Sequence, residues 1–184
     1  MTVSVIVPSR KSEEVIARGV ERMMTGYHEF IVSTEGNHPA VARNAGAARA
    51  TGDYLLFVDA DMDLRQGGGM PLDVSSLESY GYDVATANYL SEVDPAISTV
   101  QRLMASVGSP FAFFGGFMWI SRAAWKAVGQ FREFPVEDVE WGLRAWRLGW
   151  RIDVFPIYVY HTRPFRWAHV IGSYVSSDAV WGVP

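Results

Sequence analysis

The chain has 184 residues, 49% hydrophobic and 20% charged, with a net charge of −4 and no cysteine. That composition describes one folded domain with a sizeable core; it excludes a disordered chain, disulfides and thiolate-bound zinc, and gives no reason to expect nucleic acid as a main partner. Charge is uneven, with 8 Lys/Arg against 14 Asp/Glu in residues 1–121 and 8 against 6 in residues 122–184, so the last third suits a phosphate-bearing ligand or an anionic surface, and equally a set of solvated faces.

Val3–Val7 is a β-branched run stopped by Pro8, which predicts a strand. Ser12 is placed to cap a helix whose apolar positions Val15, Ile16, Gly19, Val20 and Met23 recur at helical spacing. Glu29–Ser33 reads as a second strand ending in the polar stretch Ser33-Thr34-Glu35-Gly36-Asn37. Pro39 opens a second helix with Val41, Ala45 and Ala48 on one face. Tyr54–Val58 is the third strand. This alternation predicts an α/β domain with a mostly parallel central sheet flanked by helices and joined by right-handed crossovers.

Beyond it, Gly67-Gly68-Gly69 breaks regular structure, Asp83–Leu90 reads as a strand and Pro95–Val107 as a helix. Phe111–Ile120 is apolar and aromatic, interrupted by Gly115-Gly116, and a short helix follows from Arg122 to Val128. The next helix runs from Glu137 to Leu148 with a stripe of Val139, Leu143 and Trp146, and Gly149 ends it. Arg151–Tyr160 supplies a last strand or two. From Phe165 onward the tail is aromatic without periodicity. No repeat or linker appears, so a single domain is expected over residues 1–184.

Asp59-Ala60-Asp61 directly follows the buried-strand pattern Tyr54-Leu55-Leu56-Phe57-Val58. In open α/β folds the carboxyl ends of such strands are where ligands bind, and carboxylates are hard ligands for a Mg²⁺ or Mn²⁺ that also holds phosphate oxygens. A bare Asp-x-Asp is a weak signal, and its context carries the argument. Val3-Ser4-Val5-Ile6-Val7-Pro8, then Ala42-Arg43-Asn44-Ala45-Gly46 and Ala50-Thr51-Gly52-Asp53 running into Asp61, appear in order along the chain. Gly115-Gly116-Phe117-Met118 with Arg122, Val128-Gly129-Gln130-Phe131, Glu137-Asp138, and Leu143-Arg144 through Ile152 follow in the same order. Together these segments resemble a family 2 glycosyltransferase of GT-A fold.

The resemblance implies transfer of a sugar from a nucleotide-sugar, a UDP- or GDP-sugar, to a hydroxyl on a glycan, lipid or small molecule. It implies a divalent ion, Mn²⁺ or Mg²⁺, and inversion of configuration. Residues 1–63 then form the nucleotide-binding half, 64–162 the acceptor and catalytic half, and 163–184 a tail. Asp61 is expected to bind the metal directly and Asp59 to contact the ribose or a metal-bound water. Ala60 lies between them. Asp63 extends the alternation but reads better as a solvated loop acid. Asp138 matches the base that deprotonates the acceptor, and Glu137 its structural or acceptor-contacting partner. Pro8, Ser9 and Arg10 match the segment along base and ribose, and Arg43 a cation near the nucleotide or diphosphate.

The usual acidic run after the second strand is replaced by Ser33-Thr34-Glu35-Gly36, so Glu35 is the candidate substitute and the base, uracil or guanine, stays open. His161 matches a histidine that often completes the metal site, and reads equally as a surface residue. Arg163 and Arg166 would meet the diphosphate and Trp167 cover the donor. Gly116 belongs to the acceptor-side segment, and Trp119, among Trp119, Trp141 and Trp150, is the acceptor-stacking candidate.

Two rival readings stand beside this one. A nucleotidyltransferase would need a Gly-rich basic loop after the first strand, where Ser9-Arg10-Lys11-Ser12-Glu13-Glu14 has no glycine. A non-catalytic nucleotide-sugar-binding protein is disfavoured by the full set Asp59, Asp61 and Asp138. The N-terminus lacks the pattern of a signal peptide and no stretch approaches about 20 apolar residues, so the chain reads as cytoplasmic, with peripheral membrane contact open. The chain is short for the resemblance, which leaves the acceptor to residues 64–118, to the aromatic tail Tyr174–Trp181, or to a second subunit of a homo-oligomer.

Overall fold

A computed structural model describes residues 1–90, 99–101, 103–104, 109, 112–113 and 116–162. Its strands are β1 (Val3–Pro8), β2 (Met24–Thr25), β3 (Glu29–Ser33), β4 (Tyr54–Val58), β5 (Met62–Asp63), β6 (Leu72–Asp73), β7 (Val84–Leu90), β8 (Phe117–Ser121) and β9 (Asp153–His161). The helices with full bounds are α1 (Glu14–Glu21), α2 (Pro39–Arg49), α3 (Arg122–Val128) and α4 (Glu137–Arg147). Residues 99–101, 103 and 104 are also helical; the remainder of the expected Pro95–Val107 helix lies outside the described residues. Among the described residues, no helix is long and apolar enough to cross a membrane.

Seven strands form one sheet in the order β3-β1-β4-β8-β7-β9-β5. β3, β1 and β4 are parallel, β7 and β9 run in the same direction, and β8 and β5 run against them. The sheet is therefore mostly parallel, with β8 inserted antiparallel between β4 and β7. Three adjacent parallel strands end together at Ser33, Pro8 and Val58, which places one polar edge at a single end of the sheet.

The two-residue period of β1 divides the core. Val3, Val5 and Val7 point to a cluster containing Leu56, Val58, Trp119 and Phe155, which α1 covers with Ala17 and Val20. Ile6 points the other way, to Leu55, Phe57 and Met118 beneath Ala40 and Ala47 of α2, Ala124 of α3 and Trp141 of α4.

Three helical faces differ from the sequence expectation. Ser12 does not cap α1; a 3-10 turn, Lys11–Glu13, precedes the helix and no side chain caps either. That tighter turn shifts the phase, so Ala17 and Val20 are buried and Val15 is 85% exposed. On α2 the buried residues are Ala40, Ala42, Arg43, Gly46 and Ala47 instead of Val41, Ala45 and Ala48. A helix this rich in small residues has little apolar contrast, and the close approach to β1 decides its face: a Cβ on Gly46 would lie 2.4 Å from Ile6 Cγ2. On α4, Val139 is buried as expected, but Trp141 and Ala145 join it while Trp146 is exposed. Trp141 turns inward to stack near Phe113 and Trp125, with centroids 5.5 and 6.3 Å away.

The edge strand β3 is tied to the loop before β4 through one carboxylate. Glu29 Oε1 accepts from Ser4 Oγ at 2.6 Å, Thr51 N at 2.6 Å and Thr51 Oγ1 at 2.8 Å, and Ser4 Oγ accepts from Gly52 N at 2.8 Å. Burial pushes the Glu29 carboxyl up, but these donors outweigh it and hold it below the ordinary value. A depressed folded-state value contributes stability above the unfolded pKa that is lost as pH falls through the folded one. Glu29→Gln is accordingly expected to cost about 1–2 kcal/mol near neutrality. Its melting temperature should converge on that of the wild type as pH drops below the ordinary carboxylate range. A gap that does not narrow with acid would contradict this reading.

Candidate active site

β4 delivers the acidic pair. After Val58 the chain turns sharply: Asp59 N donates to Gly116 O at 3.2 Å and Met62 N donates to Asp59 O at 3.2 Å. Asp59, Ala60 and Asp61 thereby border a cavity of about 920 Å³ at the carboxyl ends of the parallel strands. Residues 8–13 beyond β1, Thr34 and residues 36–39 beyond β3, and Ala42 and Arg43 of α2 complete its wall. Pro8, Ser9, Arg10, Arg43, Asp59, Ala60 and Asp61 are thus brought together as the sequence predicts.

β9 brings His161 to the same place. Met62 pairs with His161 across the β5–β9 ladder, and Thr162 N and Oγ1 both donate to Asp61 O, at 3.0 and 2.7 Å. His161 Nε2 comes within 3.5 Å of Asp61 Oδ2. A carboxylate oxygen beside an imidazole nitrogen fits Mn²⁺, and the carboxylate alone fits Mg²⁺. Among the described residues no group of three or more His, Asp or Glu could hold a metal, so an ion at this pair would need further oxygens from a ligand or water.

Arg43 is buried and lies between two acids. Its Nη2 donates to Asp59 Oδ1 at 2.8 Å, and its Nη1 donates to Glu137 Oε1 in the first turn of α4. It also sits over the Phe131 ring, 5.7 Å from the centroid. Glu137 is buried in this pair. Burial pushes the Asp59 carboxyl above its ordinary value; Arg43 draws it back, while Asp61 and Asp138 push it further up. The carboxylate of Asp138 therefore acts electrostatically on Asp59. Asp138 Oδ1 accepts from Val139 N at 2.8 Å, at the N-terminal end of α4 where the helix dipole favours a carboxylate.

Two candidates go elsewhere. Trp119 is core, not an acceptor platform: it is buried, stacks on Tyr54 with centroids 4.6 Å apart, and donates Nε1–H to Tyr82 O at 2.9 Å. The antiparallel pairing of β8 turns it onto the face opposite α4, a direction that apolar composition alone does not reveal. Glu35 is not in the cavity wall. It accepts from Ser33 Oγ at 2.6 Å and pairs with Arg49 at 2.8 Å, and these partners hold its carboxyl below the ordinary value, Ser33 foremost. Asp63 pairs with Arg65, consistent with a loop acid. Gly115, Arg163, Arg166, Trp167 and the segment Tyr174–Trp181 lie outside the described residues.

Sequence reasoning missed Tyr89. This buried tyrosine on β7 lies so close to the backbone of Gly116 that a Cβ there would be 2.1 Å from its Oη, and the glycine is what admits it. Burial raises its phenol well above the ordinary value, with Asp59, Asp138 and Asp61 adding to the shift. The only trace in the sequence is a polar aromatic at the end of an apolar strand. His38 was also missed: it caps α2, its Nδ1 accepting from Ala40 N at 3.1 Å, while the residue borders the cavity.

Residues 24–103 match the family model described as glycosyl transferase family 2, a stretch that contains Arg43, Asp59 and Asp61. No curated protein matches the chain significantly. Among solved structures, residues 1–349 of TarS from S. aureus superpose with a TM-score of 0.64 at 20% identity, covering 88% of this chain and 60% of that one. The same protein in complex with UDP-GlcNAc gives 0.63 at 19% identity, covering 92% and 61%. The mannosyltransferase PcManGT from Pyrobaculum calidifontis, in complex with GDP-Man and Mn²⁺, gives 0.63 at 16% identity, covering 92% and 59%. The chain thus spans about 60% of the length of these structures. Over residues 24–103, a stretch that takes in the acidic pair, this chain is similar to the family 2 glycosyltransferases, and over 88–92% of its length it shares the GT-A fold of these structures.

Proposed function

We propose that this chain moves a sugar from a nucleotide-sugar to a hydroxyl acceptor with a divalent ion and with inversion, Asp138 acting as general base. The observation that carries the reading is the convergence of Asp61 and the Arg43-bound Asp59 on one cavity at the carboxyl ends of three parallel strands, with His161 beside Asp61. Asp61 and His161 would hold the ion, Mn²⁺ or Mg²⁺, whose chemistry is to take up charge from the departing diphosphate. Asp59, fixed by Arg43, faces the ribose or a water on the ion. Residues 1–63 serve the donor and 64–162 the chemistry.

Pro8, Ser9 and Arg10 line the nucleoside. With Glu35 turned onto Arg49, the base edge falls to Thr34, Asn37 and His38. In its neutral form His38 keeps the proton on Nε2, because Nδ1 accepts from the helix. Asp138 removes the proton from the acceptor hydroxyl, whose oxygen attacks the anomeric carbon as the diphosphate leaves from the opposite face, and that single displacement inverts configuration. UDP-GlcNAc and GDP-mannose, the donors bound by the two neighbours, are the natural probes.

With Mn²⁺ and a nucleotide-sugar at 100 times its dissociation constant, binding should stabilise the protein by roughly 2.7 kcal/mol in a thermal-shift series. The same donor should be slowly hydrolysed to nucleoside diphosphate, with the released sugar inverted by NMR. Stabilisation without diphosphate release would point to a binding protein, and a retained anomer would refute inversion.

A further inference from the structure

The consecutive residues Arg43 and Asn44 both reach from α2 into the catalytic half. Arg43 joins Asp59 to Glu137 as described. Asn44 grips the backbone of Phe131 in both directions: its Nδ2 donates to Phe131 O at 2.8 Å, and Phe131 N donates to its Oδ1 at 3.0 Å. The Phe131 ring is wedged edge-on against Phe57 of β4, with centroids 5.2 Å apart, and lies under the Arg43 guanidinium. Residues 129–136 form the loop that leads into α4, and the helix begins at Val136 without a side-chain cap of its own. The start of α4 is therefore held from outside, at Phe131 by Asn44 and at Glu137 by Arg43. Asp138 is the next residue.

We propose that Asn44 and the Arg43–Glu137 pair are positioning elements that set Asp138 against the acidic pair, so that the donor-binding half locates the base of the catalytic half. The inference rests on Asp138 being the base. It makes Asn44 a determinant of turnover although it does not line the cavity. Trp141 and Arg144 of α4 also hold this loop, by donating to the carbonyls of Gly129, Val128 and Gln130, whereas Asn44 and Arg43 tie the junction to α2. Removing one of the ties to α2 lowers the cost of local opening. The arrangement also explains why Asn follows Arg in the sequence: neighbouring positions on one helix reach two separate points of the same loop-to-helix junction.

The test compares Asn44→Ala with Asn44→Asp, which keeps the acceptor for Phe131 N but loses the donor to Phe131 O. Glu137→Gln is not the primary variant, because a broken buried pair endangers folding. Amide hydrogen exchange at residues 131 and 137–141 should quicken at least 10-fold in Asn44→Ala, with β1 and β4 unchanged. With UDP-GlcNAc or GDP-mannose and Mn²⁺, kcat for hydrolysis should fall at least 10-fold while the affinity for UDP or GDP with Mn²⁺ stays within threefold. Asn44→Asp should lie between. Wild-type exchange at these amides, unchanged kcat, or a loss of nucleotide affinity equal to the loss of turnover would each overturn the inference. If wild-type protein hydrolyses neither donor, the proposed activity fails, and the exchange result still decides whether Asn44 holds the start of α4.

Discussion

Asp61→Asn is expected to lower nucleotide-sugar turnover about 10³-fold, the scale on which losing transition-state charge stabilisation acts. Asparagine keeps the shape and one oxygen but removes the negative charge that would hold the ion. The fold should tolerate the change, because the hydrogen bonds that tie this position to the end of β9 are made by its backbone carbonyl, from Thr162 N and Oγ1. The melting temperature without Mn²⁺ should therefore stay close to wild type, while the extra stabilisation by Mn²⁺ with UDP or GDP disappears. His161→Ala should weaken the ion less, since the carboxylate remains. Retained Mn²⁺-dependent stabilisation in Asp61→Asn would remove Asp61 from the metal site.

Asp138→Asn is the second large effect. Turnover should drop by at least 10²-fold, in line with the loss of a positioned base, with donor affinity and melting temperature nearly unchanged. The hydrogen bond that the side chain accepts from Val139 N is one that an asparagine oxygen can also accept. Near-normal turnover would eliminate Asp138 as base.

The acidic pair and the strand ends around it were legible because their signals are local. A strand pattern that runs straight into Asp59-Ala60-Asp61, and strands that stop at Pro8 and Ser33, place their ends on one edge whatever the rest of the chain does. The resemblance carried the fold for the same reason. What lay beyond the sequence is non-local. Arg43 meets Glu137 and Asn44 meets Phe131 only because α2 and the start of α4 pack on the same face of the sheet. Tyr89 packs against Gly116, whose carbonyl accepts from Asp59 N, only because β8 is inserted antiparallel between β4 and β7. Helix faces misled for a simpler physical reason: α2 is nearly all small residues, α1 is shifted in phase by a 3-10 turn, and on α4 an aromatic cluster draws in Trp141 where periodicity favours Trp146. Glu35 stands outside the cavity wall, bound to Ser33 Oγ and to Arg49 on the last turn of α2, a pairing that the loop composition does not reveal.

One observation bears directly on the proposed chemistry: the anomalous scattering of Mn²⁺ in crystals grown with UDP or GDP. The account predicts a single strong peak between the Asp61 carboxylate and the His161 imidazole, with diphosphate oxygens completing its coordination and the nucleoside lying along Pro8, Ser9 and Arg10. A nucleotide bound in this cavity with manganese absent from that position, or manganese held by other side chains, would contradict it.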